Sequence, residues 1–335
     1  MNKFSWYDAT TVNEAQKEAS TTVSDMVSGK SKQGAIIKSG GIDVMDLMKE
    51  GLITPEKVVN VRNIPGLDKV EYNAKKGLKI GANVTLAEIE SNEDIKTNYL
   101  ALNLAAAKAA TPQLRNMSTI AGNLAQRTRC WYFRSIDHEC LRKGGSTCFA
   151  KNGENEYHAV LNNGTCASVH ASSVATALMA FDAEVEVTDQ EGKTKNIAIT
   201  DFFVTPYTNA NTENVLKPGD IITSITLPPV NNKMKSYYIK QGARQSYDWA
   251  LADVAVVLEL SGKKCKSAKI ALGAASPVPL RAKEAEEILM NSGISESSAL
   301  SAAEATMAKA TPLEKNAYKV AIFKTIVQRA ITKTV

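Results

Sequence analysis

Arg115-Asn116-Met117-Ser118-Thr119-Ile120-Ala121-Gly122-Asn123-Leu124 follows an alanine-rich stretch, about Tyr99 to Ala110, whose composition predicts a helix. The run is rich in hydroxyls, amides and small residues. Its backbone N–H groups and side-chain donors are of the kind that meet phosphate oxygens. A plainer reading stands beside that one: a helix C-terminus followed by an ordinary loop.

Toward the N-terminus, Lys38-Ser39-Gly40-Gly41-Ile42-Asp43 separates an expected strand, Ala35 to Lys38, from an expected helix, Asp43 to Lys49, with Val44, Leu47 and Met48 on one face. Paired glycines allow close approach of the backbone to a ligand, and a helix N-terminus offers free N–H groups, an arrangement suited to a pyrophosphate. Such a pair is also often only a turn. The pattern is not G-x-G-x-x-G, so a Rossmann dinucleotide site is not indicated.

Toward the C-terminus the character changes. Asn123 to Ala167 lacks clean periodicity and holds Cys130, Cys140, Cys148 and Cys166, spaced C-x9-C-x7-C-x17-C. Cys265 stands alone. Thiolates suit zinc and iron–sulfur clusters, while the absence of a C-x2-C pair speaks against zinc-ribbon or bacterial-ferredoxin spacing. Four free buried cysteines, structural zinc and an iron–sulfur cluster all stay open on the residues alone. Arg127, Arg129, Arg134, Arg142 and Lys143 supply positive charge to offset an anionic cluster, and Trp131-Tyr132-Phe133 would shield it. His138, two residues before Cys140, is either a further ligand or an ordinary loop histidine.

The remaining chain is that of a globular protein, 44% hydrophobic and 22% charged, with a net charge of +5 spread along its length, which excludes a nucleic-acid stripe. Residues 1–10 carry no apolar signal segment, and no apolar run is long enough to span a bilayer. A cytoplasmic location follows as the expectation, with export beside a partner left open. Further strands are expected at Lys57 to Val61, in hairpins over Lys69 to Ile80 and Glu184 to Thr200, and at Asp220 to Leu227. Thr85 and Glu88 form a capping box before a helix, and Ser173 to Phe181 is another helix. After Pro228-Pro229 come strands near Tyr237, Val254 to Leu260 and Ala268 to Leu272. Helices follow over Ala282 to Met290, Ser298 to Ala308 and about Lys315 to Thr332, an α+β arrangement. No acid/base triad is visible.

In order, these segments resemble the FAD-binding subunit of the xanthine dehydrogenase and carbon monoxide dehydrogenase family of molybdenum hydroxylases. Arg115 to Leu124 is similar to the family's RN-x-(A/S/G)-T-(I/V)-G-G-N-L run, with Ala121 at its first glycine. Lys38 to Asp43 resembles its AGGTDL loop, with Ile42 in place of threonine. Gly81 to Thr85, Lys217 to Ile222, the Tyr238-Ile239-Lys240 segment through Trp249-Ala250, and Gly273 to Ala282 resemble further family signatures. The cysteine stretch, opening Gln126-Arg127-Thr128-Arg129-Cys130, resembles the periplasmic aldehyde oxidoreductase type, whose flavin subunit holds an additional [4Fe–4S] cluster; 4-hydroxybenzoyl-CoA reductase is similar in this respect. That type opens its next helix with HPSD, where this chain has His170-Ala171-Ser172-Ser173.

The resemblance implies an α+β protein: a p-cresol methylhydroxylase-type FAD-binding domain of two subdomains, then a C-terminal α+β domain. The expected bounds are 1–62, then 63–229 with the iron–sulfur insert at 125–168, then 233–335. FAD contacts are implied for Lys38, Ser39, Gly40, Gly41, Ile42, Asp43, Thr85, Thr111, Ser118, Thr119, Ala121, Gly122, Asn123, Leu124, Ile221 and Lys240. Cys130, Cys140, Cys148 and Cys166 are implied as ligands of one [4Fe–4S] cluster. The implied partners are a molybdopterin-binding large subunit, a [2Fe–2S] small subunit and an external electron acceptor. Two rival readings are a free-standing flavin oxidase and a zinc-stabilised assembly protein without flavin. Cys130 lies so near Leu124 that even an extended chain holds the two implied sites within roughly 25 Å. The insert is expected to fold around its metal group, having no core of its own.

Overall fold

The computed structural model describes residues 1–245, 247–262 and 264–335. Three β-sheets follow one another along the chain. The first comprises β1 (Ser5–Asp8), β2 (Ala35–Lys38) and β3 (Lys57–Asn60), all parallel in the order β1-β3-β2. β2 and β3 bury residues on both faces, while the edge strand β1 is largely exposed. Ile36 and Val58 point into one apolar cluster with Leu47, Met48 and Phe133; Ala35 and Val59 alternate into another with Ala9, Ala15 and Ile221. Two short helices not read from the sequence, Val12–Glu18 and Val23–Val27, precede β2, capped by the side chains of Thr11 and Thr22.

The second sheet is antiparallel: β4 (Val70–Asn73), β5 (Gly77–Gly81), β6 (Glu184–Thr188), β7 (Thr194–Ala198) and β8 (Ile221–Leu227), in the order β4-β5-β8-β6-β7. The helix Leu86–Ser91 opens with the reciprocal Thr85–Glu88 capping box. The alanine-rich helix spans Leu100–Ala107, and a second apolar helix spans Ser173–Ala180.

The third sheet is antiparallel too: β9 (Met234–Gln241), β10 (Ala252–Ser261), β11 (Lys264–Gly273) and β12 (Leu280–Arg281), in the order β12-β11-β10-β9. In β10, Val254, Val256 and Leu258 face the helices Lys283–Ser292, Glu296–Thr306 and Tyr318–Lys333. Ala255 and Val257 face the core of the preceding unit. Burial on both faces explains why β10 reads as one unbroken apolar run.

The cysteine stretch holds only the short helix Trp131–Arg134 and two 3-10 turns, Leu141–Lys143 and Phe149–Lys151. It is not without a core, as its sequence suggests, because it borrows one: Phe133 and Cys140 sit in the apolar cluster on the first sheet. Its later part is pinned to the helix Tyr318–Lys333. There Lys319, fully buried, donates to the carbonyls of His158 and Ala274, each at 2.8 Å.

Candidate functional site: a flavin-sized cleft beside a cysteine gap

A cleft of about 960 Å³ opens between the first two sheets and is closed on one side by the β9–β10 loop. Its wall is made where two loops press together. A Cβ on Gly40 would lie 2.1 Å from the carbonyl oxygen of Met117, so only glycine permits this approach. Gly41 has φ +85° and serves as the N-cap of the helix Ile42–Lys49. Ser39 Oγ lies 2.7 Å from Asn83 Oδ1 and 2.8 Å from Thr119 Oγ1. Asn83 is in turn fixed by donating to the Val61 carbonyl at 2.7 Å. Among the described residues the N–H groups of Gly40, Gly41 and Ile42 have no protein acceptor. These donors at a helix N-terminus suit the oxygens of a phosphate.

On the other side Thr119 caps the helix Ile120–Ala125, its Oγ1 accepting from Gly122 N. Asn123 Oδ1 accepts from Ser172 Oγ at 2.5 Å, and Ser172 also caps the helix Ser173–Ala180. Ser173, which stands where the resembling pattern has its acid, is the first residue of that helix and lines the cleft. Lys240 Nζ donates to the carbonyls of Lys108 and Asp248, at 2.9 and 2.5 Å, and burial lowers its pKa.

Of the sixteen residues implied as FAD contacts, the cleft is lined by Lys38, Ser39, Gly40, Gly41, Ile42, Asp43, Thr111, Ser118, Thr119, Ala121, Gly122, Asn123, Ile221 and Lys240. Thr85 and Leu124 are absent from that wall: Thr85 is committed to its helix cap, and Leu124 is fully buried in the core. Residues beyond the sixteen implied contacts also line it, notably Trp6, Asn83, Tyr247 and Trp249. Asn83 sat inside a quoted family turn; Trp6 and Tyr247 carried no signal.

Asp43 lines the cleft, but its carboxylate is already engaged. It accepts from Arg127 N at 2.8 Å and pairs with Arg129 at 3.0 Å and Arg134 at 2.6 Å. It therefore ties the glycine loop to the cysteine stretch.

Cys130, Cys140, Cys148 and Cys166 surround one gap of about 20 Å³, together with Phe133 and Arg142. Among the described residues no three His, Cys, Asp or Glu side chains are placed to hold a single metal ion. Burial pushes the Cys130 thiol up to about 12. Cys166 is held well below the ordinary thiol value, first by the hydrogen bond from Cys148 and further by the Arg142 charge and Ser168. The histidine at the sulfurs is His158, with Nε2 3.1 Å from Cys130 Sγ, and burial lowers its pKa to about 4. His138 instead packs on Tyr132 and Phe149 and contacts Ser135. Nothing in the sequence marked His158, since 28 residues separate it from Cys130. Cys265 is buried in β11, part of the C-terminal core.

Residues 2–230 match the family described as the FAD binding domain in molybdopterin dehydrogenase, and residues 237–334 match the CO dehydrogenase flavoprotein C-terminal domain. The chain belongs to this family of molybdenum hydroxylase flavin subunits. It is an oxidoreductase subunit of mixed helix and sheet, a FAD-binding domain followed by a C-terminal domain. It is 34% identical to the aldehyde oxidoreductase FAD-binding subunit PaoB of Escherichia coli, over 92% of this chain and 94% of that one. It is 25% identical to the carbon monoxide dehydrogenase medium chain of Afipia carboxidovorans, over 76% and 72%. The fold is similar to that of carbon monoxide dehydrogenase from Hydrogenophaga pseudoflava, with a TM-score of 0.74, 22% identity, and 99% and 97% coverage. Among the described residues no helix is long and apolar enough to cross a membrane.

Proposed function

We propose that the cleft holds FAD with its pyrophosphate between the Gly40-Gly41 loop and the Thr119 to Asn123 turn. We propose too that the four clustered cysteines hold one [4Fe–4S] cluster. The observation that carries the flavin assignment is the contact of the two loops at Gly40 and Met117, with unpaired N–H groups left beside it. Bound there, FAD would supply electron exchange between the metal centres of partner subunits and an external acceptor. The chain's own part is to orient and shield it: Ser39, Thr119 and Asn123 fix the wall, and Trp249 and Tyr247 border the opening.

For the cluster, the support is four sulfurs on one gap and a buried Arg142 Nη2 without a partner beside them. The partners are a molybdopterin-binding large subunit and a [2Fe–2S] small subunit, in keeping with relatives named as medium chains.

Flavin, iron, zinc and labile sulfide determined on the purified complex test both assignments. One FAD and four irons attributable to this chain are expected. One zinc and no such iron would refute the cluster, and absence of flavin would refute the cleft assignment.

A further inference from the structure

Five basic residues of the cysteine stretch were candidates for offsetting an anionic group, and the structure separates them. Arg129 and Arg134 are committed to Asp43, Asp46 and Glu50 on the helix Ile42–Lys49. Lys143 donates to the Ser135 carbonyl. Arg142 is different. It is 1% exposed and lines the cysteine gap. Its Nε donates to Ser168 Oγ at 3.0 Å, and that oxygen lies 3.3 Å from Cys166 Sγ. Nη1 lies 3.3 Å from Glu213 Oε1, and Nη2 is buried without a partner.

Glu213 is shared. Its other oxygen pairs with Arg127, also 1% exposed, which lines the flavin cleft. Two buried guanidinium groups thus divide one buried carboxylate, an excess of one positive charge within this trio. Net charge away from water is costly unless an anion lies nearby. Four thiolates around an iron–sulfur core supply that anion, and its negative charge grows when it is reduced.

We propose that Arg142 is the positioning residue that sets the reduction potential of the cysteine-held cluster, with Glu213 and Arg127 linking its charge to the flavin cleft. This rests on the cluster reading above. The buried charge stabilises the reduced, more negative cluster over the oxidised one, and hydrogen bonding toward Cys166 through Ser168 acts in the same direction. Glu213, as the compensating anion, opposes it.

The test is a redox titration of the intact complex followed by EPR, with iron and sulfide measured on every sample, for wild type, Arg142→Met, Arg142→Lys and Glu213→Gln. Arg142→Met is expected to make the cluster about tenfold harder to reduce against a fixed one-electron mediator, a fall of about 59 mV. Arg142→Lys should recover most of the shift. Glu213→Gln should move the potential upward, a reversal of sign that simple loosening of the fold does not produce. A full complement of iron with an unmoved potential, or with Met and Gln variants shifted the same way, overturns the proposal while leaving the cluster in place. Wild type without iron overturns the cluster reading and this proposal with it. If Arg142→Met fails to retain iron, Glu213→Gln decides alone: a raised potential supports the role, and an unchanged or lowered one overturns it.

Discussion

The cleft and the cysteine gap lie side by side but are built from different material. The cleft is made of backbone. Its walls are loop ends of two sheets with their own buried clusters, and its closest contact is Gly40 against a main-chain carbonyl. The gap is made of side chains. Its stretch has little regular structure, borrows apolar packing from the first sheet, and is fastened by arginines to Asp43, Asp46, Glu50 and Glu213. A backbone-built site stands before its ligand arrives. A site built from buried charge and thiols depends on its ligand for much of its cohesion.

The hardest blow to this contrast comes from the cysteines. Replacing any one of the four with Ser should remove the iron and loosen the stretch. The loosening should be confined to about residues 135–153, because Phe133 is buried on the first sheet and residues 157–159 are pinned by Lys319 and Asn316. Cys265→Ser should leave both iron and folding of the stretch intact. Limited proteolysis with metal and flavin analysis reads this out. Loss of flavin together with iron would show that the two sites fold as one.

On the cleft side, Gly40→Ala is expected to weaken flavin binding by at least a hundredfold, about 2.7 kcal/mol. The added Cβ meets backbone at 2.1 Å, and the two loops must part. Gly41→Ala should cost less, about 1–2 kcal/mol, since the strain is a left-handed φ and the clash is with the flexible end of Lys38. Flavin dissociation constants measured after dialysis give both. Equal effects at the two glycines would mean that loop contact is not what forms the wall.

Asp43 is the seam. Asp43→Asn keeps size and the helix start but weakens the arginine attachments, for an expected loss of about 1–3 kcal/mol. Hydrogen exchange should rise in residues 127–134 while the N–H groups around Gly41 hold their flavin. A variant that loses flavin first would make Asp43 a cofactor residue rather than a link.

Much of this was legible. The two glycine loops, the Thr85 capping box and the strands of the third sheet each carry a local signal, either a turn, a cap or a period. Long-range pairings carried none. Asp43's place beside Gly41 is visible in sequence and its arginine partners are not; Arg127 lies 84 residues away. Leu124 closed a run of polar wall residues yet turns inward, because a helix begins at Ile120 and rotates it to the core face. Glu213 and His158 sit in loops without pattern, and only the fold brings His158 to Cys130 Sγ and Glu213 to Arg142.

The smallest effect is in pH, and its sign should differ between the two sides. Behind the cleft Asp253 is buried with Oδ1 unpartnered, beside Thr176 and Tyr238, and burial raises its pKa to about 7 despite Lys240 and Lys319. The folded state therefore binds more protons than the unfolded one between the ordinary carboxyl range and about pH 7. Its stabilising share is complete below that window and is lost as pH rises through it. At the exit of the cysteine stretch His170 is buried with Nε2 unpartnered, and burial lowers its pKa to about 3. Here the unfolded state binds more protons, so stability is complete above the ordinary histidine value and is lost as pH falls from there toward 3. Asp253→Asn should thus stabilise the protein at pH 8.5 relative to wild type and lose that advantage in acid. His170→Gln should flatten the acid limb alone. Urea unfolding across this range, with shifts of about 1–3 kcal/mol, measures both. An Asp253→Asn variant whose gain is the same at every pH would show that the carboxyl is not neutral in the folded protein.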